Sequence, residues 1–181
     1  MGRVTIGRVT YKREDDRMSS TDELVANNAG YASGFDKGDL PLPPAKKVAV
    51  LACMDARLDP AKALGLQEGD AHVIRNAGGV ASEDALRSLV ISQRLLGTDE
   101  IILIHHTDCG METFSDDEVK DKILSDTGIR PSFALEAFPK ADDDVKQTAA
   151  RIRANPFVVH KNIRGFVYEV DSGRLREISI D

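Results

Sequence analysis

Tryptophan is absent from this sequence of 181 residues, and aromatic residues make up only 5% of it. The apolar runs are short, whereas a helix that spans a membrane needs about 20 consecutive apolar residues. No cluster of Lys and Arg follows any predicted helix, and the formal net charge is -6, so the footprint of a nucleic-acid-binding protein is missing. The sequence therefore predicts neither a membrane nor a nucleic-acid partner, and it favours small molecules or another subunit.

Cysteine is scarce, since only Cys53 and Cys109 are present. The N-terminal segment is basic but has no apolar stretch of the kind found in a secretory signal, so we expect a cytoplasmic protein. A disulfide is not favoured in that compartment, and a metal-binding or catalytic role is the better interpretation of the two thiols. Gly-Arg-Val-Thr occurs twice near the start, and residues 1–17 are expected to form a disordered or extension tail.

The rest of the composition, with 41% hydrophobic and 30% charged residues, is typical of an ordinary globular domain. Short apolar runs predict strands, and apolar residues at helical spacing predict helices between them. The predicted strands are 46–52, 72–76, 100–106 and 164–170, and the predicted helices are 82–96 and 142–154. This alternation indicates an α/β fold, with a mainly parallel central sheet of about four to five strands flanked by helices.

A further helix is predicted over Thr21 to Tyr31, separated from the first strand by several glycines and prolines. We therefore divide the chain into an N-terminal helical arm at 18–45, expected to pack on a partner subunit, and an α/β domain at 46–181, which contains the candidate metal ligands described next. Two acidic runs, at 115–118 and 142–144, are interpreted as helix starts, where carboxylates meet the positive end of the helix dipole.

Three candidate metal ligands stand at the ends of predicted strands. Cys53 follows the first strand, and His106 and Cys109 follow the third, so they meet if those strands are neighbours in a parallel sheet. Two thiolates and an imidazole suit Zn²⁺, and three ligands leave a fourth position for water or substrate, as in a catalytic site. The ordinary alternative, a buried apolar cysteine and a hydrogen-bonded core histidine, stays open on the residues alone. Strand alternation should point His105 away from this site.

Asp55 and Arg57 follow Cys53 by two and four residues, so in an extended stretch all three side chains project to one side. The carboxylate would then accept a hydrogen bond from zinc-bound hydroxide and orient it, while Arg57 keeps the carboxylate ionised. An ion pair that merely braces a turn is the alternative.

Three segments carry a family resemblance: Cys53 to Arg57, Arg75 to Gly79, and His106 to Gly110. They resemble the signature segments of β-class carbonic anhydrases, most closely the short actinobacterial and mycobacterial type. The resemblance implies a carbonate dehydratase that hydrates CO₂ reversibly to bicarbonate and a proton, with one Zn²⁺ per subunit. It also implies a homodimer, possibly paired into a tetramer.

Residue by residue, the resemblance makes Cys53, His106 and Cys109 the zinc ligands and Asp55 with Arg57 the orienting dyad. In some members of the family the aspartate becomes a fourth ligand and closes the site, so Asp55 is also a candidate ligand. That subgroup uses a Trp just before the first zinc cysteine, which this chain lacks, so we expect the open form with water on the metal.

Several alternatives remain. Gly79 stands where many family members have Asn, and some close relatives hydrolyse CS₂ or COS with the same metal site, so the substrate class is not fixed by the ligands. A zinc site that only stabilises a binding module is a second class of function. A thiol redox protein is a third, although no Cys-x-x-Cys motif supports it. Gly78 and Gly79 either offer backbone N–H groups to a ligand or simply form a turn. The other three histidines are interpreted as structural; they are His72, His105 and His160.

Overall fold

The structure, a computed structural model, describes residues 19–180, which divide into an N-terminal unit at 19–39 and a second unit at 40–180. The predicted tail at 1–17 lies outside the described residues. The N-terminal unit contains helices α1 (Ser20–Ala26) and α2 (Asn28–Ser33). The helix predicted over Thr21 to Tyr31 is thus two helices, divided at Asn27, where neighbouring Asn and Gly residues have low helix propensity.

Apolar side chains of the N-terminal unit are exposed. Neither α1 nor α2 contains a buried residue, and Leu24 and Val25 are 70% and 67% exposed. The rings of Tyr31 and Phe35 lie 5.6 Å apart, and both are about half exposed. The expected packing of this arm on a partner subunit stays a prediction.

The second unit alternates strands and helices along the chain. Its elements are β1 (Val48–Cys53), α3 (Pro60–Leu64), β2 (Ala71–Asn76), α4 (Glu83–Arg94), β3 (Glu100–His106), α5 (Asp116–Thr127), α6 (Ala141–Ala154), β4 (Asn162–Tyr168) and β5 (Leu175–Ile178). Short 3₁₀ turns at Ala77–Gly79 and Gly110–Glu112 follow β2 and precede α5.

The five strands form one sheet in the order β2-β1-β3-β4-β5. The first four strands run parallel, and β5 pairs antiparallel with β4. The predicted α/β fold is confirmed, with the sheet at the upper end of the expected strand number. The four predicted strands are all present, with boundaries that differ by no more than two residues.

The core lies on both faces of this sheet, as alternating residues of β1 show. Ala49 and Leu51 join a cluster that contains Leu89 of α4. Val50 and Ala52 join the cluster on the opposite face. Because both faces are covered, β1 reads as a continuous apolar run, which is the pattern of a buried parallel strand. Within residues 19–180, no helix is both long enough and apolar enough to cross a bilayer.

Local signals position the helices that flank the sheet. The Ser82 hydroxyl accepts a hydrogen bond from the Ala85 backbone N–H at 3.3 Å and so caps α4 at the start of the predicted helix 82–96. Both acidic runs do lie at helix starts, since they open α5 and α6. Helix α3 was not predicted, because five residues are too few to show a hydrophobic period.

Candidate metal centre

The candidate ligands lie at the carboxyl ends of the two central strands. Cys53 is the last residue of β1, His106 is the last residue of β3, and Cys109 directly precedes the 3₁₀ turn after β3. β1 pairs with β2 on one side and β3 on the other. From β1 the chain continues to β2 on one side, and from β3 it continues to β4 on the other side. Open parallel sheets bind ligands at such a point, where the strand order reverses.

Three donor atoms converge at this edge: the Sγ atoms of Cys53 and Cys109 and a ring nitrogen of His106, all within 4.8 Å of one another. Nε2 of His106 lies 3.2 Å from Sγ of Cys53. All three residues are buried. Such a set of two soft sulfur donors and an imidazole fits Zn²⁺.

The tautomer of His106 is set by its neighbour along the chain. Its Nδ1 lies 2.9 Å from the backbone carbonyl oxygen of Thr107. Because a carbonyl can only accept, Nδ1 must carry the hydrogen. In the neutral ring Nε2 is therefore the nitrogen without a hydrogen, which is the form that a metal ligand requires.

The two cysteines have pKa values shifted in opposite directions. Hydrogen bonding with Cys109, with His106 and with the backbone N–H groups of Asp55 and Gly78 lowers the pKa of Cys53 to about 4. The same hydrogen bond to Cys53, followed by burial, raises the pKa of Cys109 well above its usual value. Burial opposes a charge on His106, but Cys53 and the Thr107 carbonyl outweigh it, and the pKa of His106 is raised. The Cys53 thiolate thus makes the site negatively charged, and the site attracts a positively charged group to its donor atoms.

Asp55 and Arg57 form a doubly hydrogen-bonded pair beside these ligands. Arg57 Nε donates to Asp55 Oδ1 at 3.0 Å, and Nη2 donates to Oδ2 at 2.9 Å. The Arg57 backbone N–H adds a third bond to Oδ1 at 2.8 Å. The Arg57 side chain, followed by this N–H, lowers the pKa of Asp55 far below its usual range. Asp55 is therefore an anion at neutral pH, with Oδ2 3.7 Å from His106 Nε2.

Asp108 holds the same arginine from the other side, which the sequence did not indicate. Arg57 Nη1 donates to Asp108 Oδ2 at 2.7 Å, and Nη2 lies 3.0 Å from the Asp108 carbonyl oxygen. Asp108 has a φ of 56°, a left-handed conformation that Asp tolerates better than most residues. Arg57 thereby links the loop after β1 to the loop after β3, and its pKa is raised first by Asp55 and then by Asp108.

Both glycines after β2 have structural reasons to be glycine. Gly78 has a φ of 82°, and its backbone N–H is one of the donors to Cys53. Gly79 has a φ of 76°, and a Cβ there would lie 2.8 Å from the Cys53 backbone nitrogen and 3.0 Å from the Ile104 carbonyl oxygen. Gly79 therefore fills a gap between β1 and β3 that admits no side chain.

A cavity of about 340 Å³ opens onto the cluster. Apart from the candidate ligands and Asp55, most of the side chains that line it are apolar. The residues that contribute are Cys53, Met54, Asp55, Ala77, Gly78, His106, Cys109, Gly110, Met111, Thr113 and Phe114. The cavity can thus hold a small apolar molecule next to the candidate ligands.

His105 points away from the site, as strand alternation predicts. Its Nε2 lies 2.7 Å from Asp144 Oδ2 on α6, and both side chains are buried. His72 bonds Ser92 at 2.7 Å through Nδ1. The interpretation of these two histidines as structural agrees with their contacts.

Comparisons with known proteins place this geometry in a family. A family model described as carbonic anhydrase matches residues 48–131. The Beta-carbonic anhydrase 1 of Mycobacterium tuberculosis is 58% identical over 163 residues, which cover 90% of this chain and 99% of that protein. The carbon disulfide hydrolase of Acidithiobacillus thiooxidans is 35% identical over 88% of this chain and 90% of its own length. A crystal structure of a carbonic anhydrase from Streptococcus mutans has a TM-score of 0.85 at 39% identity, over 90% of this chain and 99% of that one.

Proposed function

Because this chain belongs to the β-carbonic anhydrase family and is a carbonate dehydratase, we propose that it hydrates CO₂ reversibly at a zinc ion held by Cys53, His106 and Cys109. The observation that carries the proposal is the convergence of three buried donor atoms within 4.8 Å. When bound, the metal would supply a Lewis acid and a hydroxide nucleophile at neutral pH.

The protein's own contribution begins with the apolar cavity. Met54, Met111 and Phe114 line it, and such side chains accept CO₂ without offering it competing hydrogen bonds. The buried Met111 and the half-buried Phe114 also keep bulk water from the reacting carbon, which strengthens every electrostatic interaction inside the cavity. Bicarbonate, as a charged product, is poorly solvated there and so tends to leave.

The Asp55 carboxylate is the orienting group in this proposal. It is ionised and lies beside the ligands, so it can accept a hydrogen bond from the attacking oxygen and fix the direction of a lone pair toward CO₂. Arg57 occupies both carboxylate oxygens, which favours Asp55 remaining off the metal. This supports the open form of the site, with Asp55 as an orienting residue rather than a fourth ligand.

A metal-removal experiment tests the proposal. Chelated protein should lose CO₂ hydration in stopped-flow assays and regain it on addition of Zn²⁺, and a Cys109→Ser variant should bind zinc weakly by elemental analysis. His160→Ala serves as the control, because His160 lies at the surface, outside the residues that line the cavity. Undiminished hydration by the metal-free protein would overturn the zinc assignment.

A second substrate class is supported by the apolar lining and by the 35% identity to a carbon disulfide hydrolase. CS₂ and COS are linear molecules with an electrophilic carbon, and with water they yield CO₂ and H₂S. Hydrolysis would be measured as zinc-dependent release of H₂S into the headspace. If no H₂S forms while CO₂ is hydrated, the chain is a carbonic anhydrase alone.

We further propose that the chain acts as a homodimer through its N-terminal unit. The exposed apolar side chains Leu24, Val25, Tyr31 and Phe35 support this, since an exposed apolar face is a frequent sign of a protein interface. A second copy is the occupant that the family resemblance favours.

A further inference from the structure

Arg75 connects β2 to the loop that carries the candidate dyad. Its Nε lies 3.1 Å from the carbonyl oxygen of Cys53, and its Nη2 lies 2.9 Å from the same oxygen. Nη2 also lies 2.8 Å from each of the carbonyl oxygens of Asp55 and Leu58. One guanidinium thus binds three carbonyl groups, one at the end of β1 and two in the loop that follows it.

Three carbonyl dipoles that point at one place repel each other unless a donor lies between them. Nη2 has only two hydrogens for three acceptors, so at least one hydrogen is shared and the three carbonyls are held close together. Arginine is suited to this task because its donors form a rigid planar fork that stays charged at any working pH.

The loop between β1 and α3 has few other backbone anchors among the described contacts. The Met54 N–H donates to the Asn76 carbonyl oxygen at 2.9 Å, and the Leu58 N–H donates to the Asp55 carbonyl oxygen at 3.0 Å. The second of these bonds lies within the loop and does not tie it to the sheet. Arg75 is therefore the side chain that fixes the Asp55 backbone to the neighbouring strand.

We propose that Arg75 is a positioning residue for the hydration reaction, which acts by holding the Asp55 backbone so that the carboxylate stays in place between Arg57 and the ligands. This inference rests on the proposed function, because it assigns Arg75 a role through Asp55. Arg57 binds the carboxylate of Asp55, and Arg75 joins the Leu58 N–H in binding its carbonyl oxygen.

Replacing Arg75 should weaken the turnover number rather than substrate affinity, since CO₂ contacts the cavity and not this arginine. In Arg75→Met we expect a roughly 10-fold lower kcat, in the range found for partners of metal-site residues, with KM and zinc content unchanged. Arg75→Lys should recover part of the loss, because Lys keeps the charge but not the fork. Arg164→Met is the matched control, an exposed strand arginine that pairs with Glu177 on β5.

A double-mutant cycle with Asp55→Asn separates positioning from general loosening of the fold. If Arg75 acts through Asp55, then Arg75→Met should cause little further loss of kcat in the Asp55→Asn background. An equal loss in both backgrounds, or wild-type kcat in Arg75→Met, would overturn the inference. Should Arg75→Met fail to fold, Arg75→Lys is compared in the two backgrounds by the same criterion.

The outcomes also separate this inference from the proposed function. A wild-type protein without zinc-dependent hydration contradicts the proposed function itself. Zinc-dependent hydration that Asp55→Asn impairs and Arg75→Met leaves intact contradicts only the role of Arg75.

Discussion

At the scale of single residues, the Asp55 carboxylate is the group on which the proposed chemistry depends most. Three hydrogen bonds from Arg57 hold it, and it lies 3.7 Å from the nearest ligand nitrogen. Both oxygens are occupied by one side chain, so its orientation is restricted to a single arrangement. An amide of the same shape would keep the volume but lose the charge.

Asp55→Asn should therefore retain zinc and lose most hydration activity, with kcat reduced by about 10- to 100-fold. Elemental analysis and stopped-flow hydration measure the two quantities. Asp84→Asn is the control, since Asp84 also pairs with an arginine, Arg87, but on the exposed face of α4. Wild-type rates in Asp55→Asn would refute the orienting role.

The residues that sequence inspection did and did not find at this site differ in a physical way. Cys53, Asp55 and His106 have local signals, because strand ends and period-two spacing place them on one edge. Asp108 acts on Arg57 across 51 positions of sequence, and Arg75 binds carbonyl oxygens that the sequence cannot distinguish from any others. Contacts to backbone atoms leave no residue pattern, so only the folded chain reveals them.

At the scale of elements, Gly79 fixes the approach of β1 to β3. Alanine there would carry both the strain of a positive φ, about 1–2 kcal/mol, and a clash with backbone atoms of two strands. Gly79→Ala should thus lower stability by more than about 2 kcal/mol, or roughly 4–8 °C in Tm.

Gly97→Ala provides the matched control for thermal denaturation. Gly97 also has a positive φ, of 73°, but a Cβ there would have no atom within 4 Å. The loss of stability in Gly97→Ala should reflect backbone strain alone and be clearly smaller than the loss in Gly79→Ala. Equal losses in the two variants would show that the contact between the strands is not tight.

The N-terminus of α5 is tied to the segment before α6 by Asp116. Its carboxylate accepts backbone N–H bonds from Leu135 at 2.8 Å and from Ala137 at 3.0 Å. The N–H of Ala137, the stronger influence, lowers the pKa of Asp116, and Leu135 adds to it. A carboxyl group whose folded pKa is depressed stabilises the protein above its unfolded pKa, and this contribution is lost as the pH falls through the folded pKa.

Asp116→Asn should consequently be less stable than wild type at pH 7, by about 1 kcal/mol for charge-assisted bonds at a partly exposed site. The difference should shrink as the pH falls below about 4, near the ordinary pKa of Asp. Urea unfolding of both proteins at pH 7 and pH 3 measures this difference in the free energy of unfolding. A difference that is as large at pH 3 as at pH 7 would mean that the charge of Asp116 plays no part.

The elements themselves were predictable where the sequence carries a period or a cap. Buried parallel strands are continuous apolar runs, and Ser82 caps α4, so those elements were found. Helix α3 has only capping signals, Asp59 as N-cap, Pro60 in the first turn and Gly65 after its end, and without a hydrophobic period it was not predicted. The break at Asn27 depends on weak propensities and was missed.

At the scale of the whole molecule, the proposed homodimer makes a prediction about assembly. Leu24→Asp combined with Phe35→Asp should shift the protein from dimer to monomer in light scattering, because a charge would then lie in a desolvated interface. Leu124→Asp is the control, an exposed apolar residue of α5 that is outside the N-terminal unit. A dimer that survives the double substitution would assign the interface elsewhere.

Cys53 and His106 are separated by 53 positions of sequence and meet only where β1 pairs with β3. Parallel pairing with a helical crossover is a non-local contact, which forms slowly during folding. The unfolded chain thus offers no ready-made set of donors, and capture of the ion must wait for the middle of the sheet. Zinc uptake during refolding should therefore follow the pairing of β1 with β3, so the rate of ion binding would report on this step of sheet assembly.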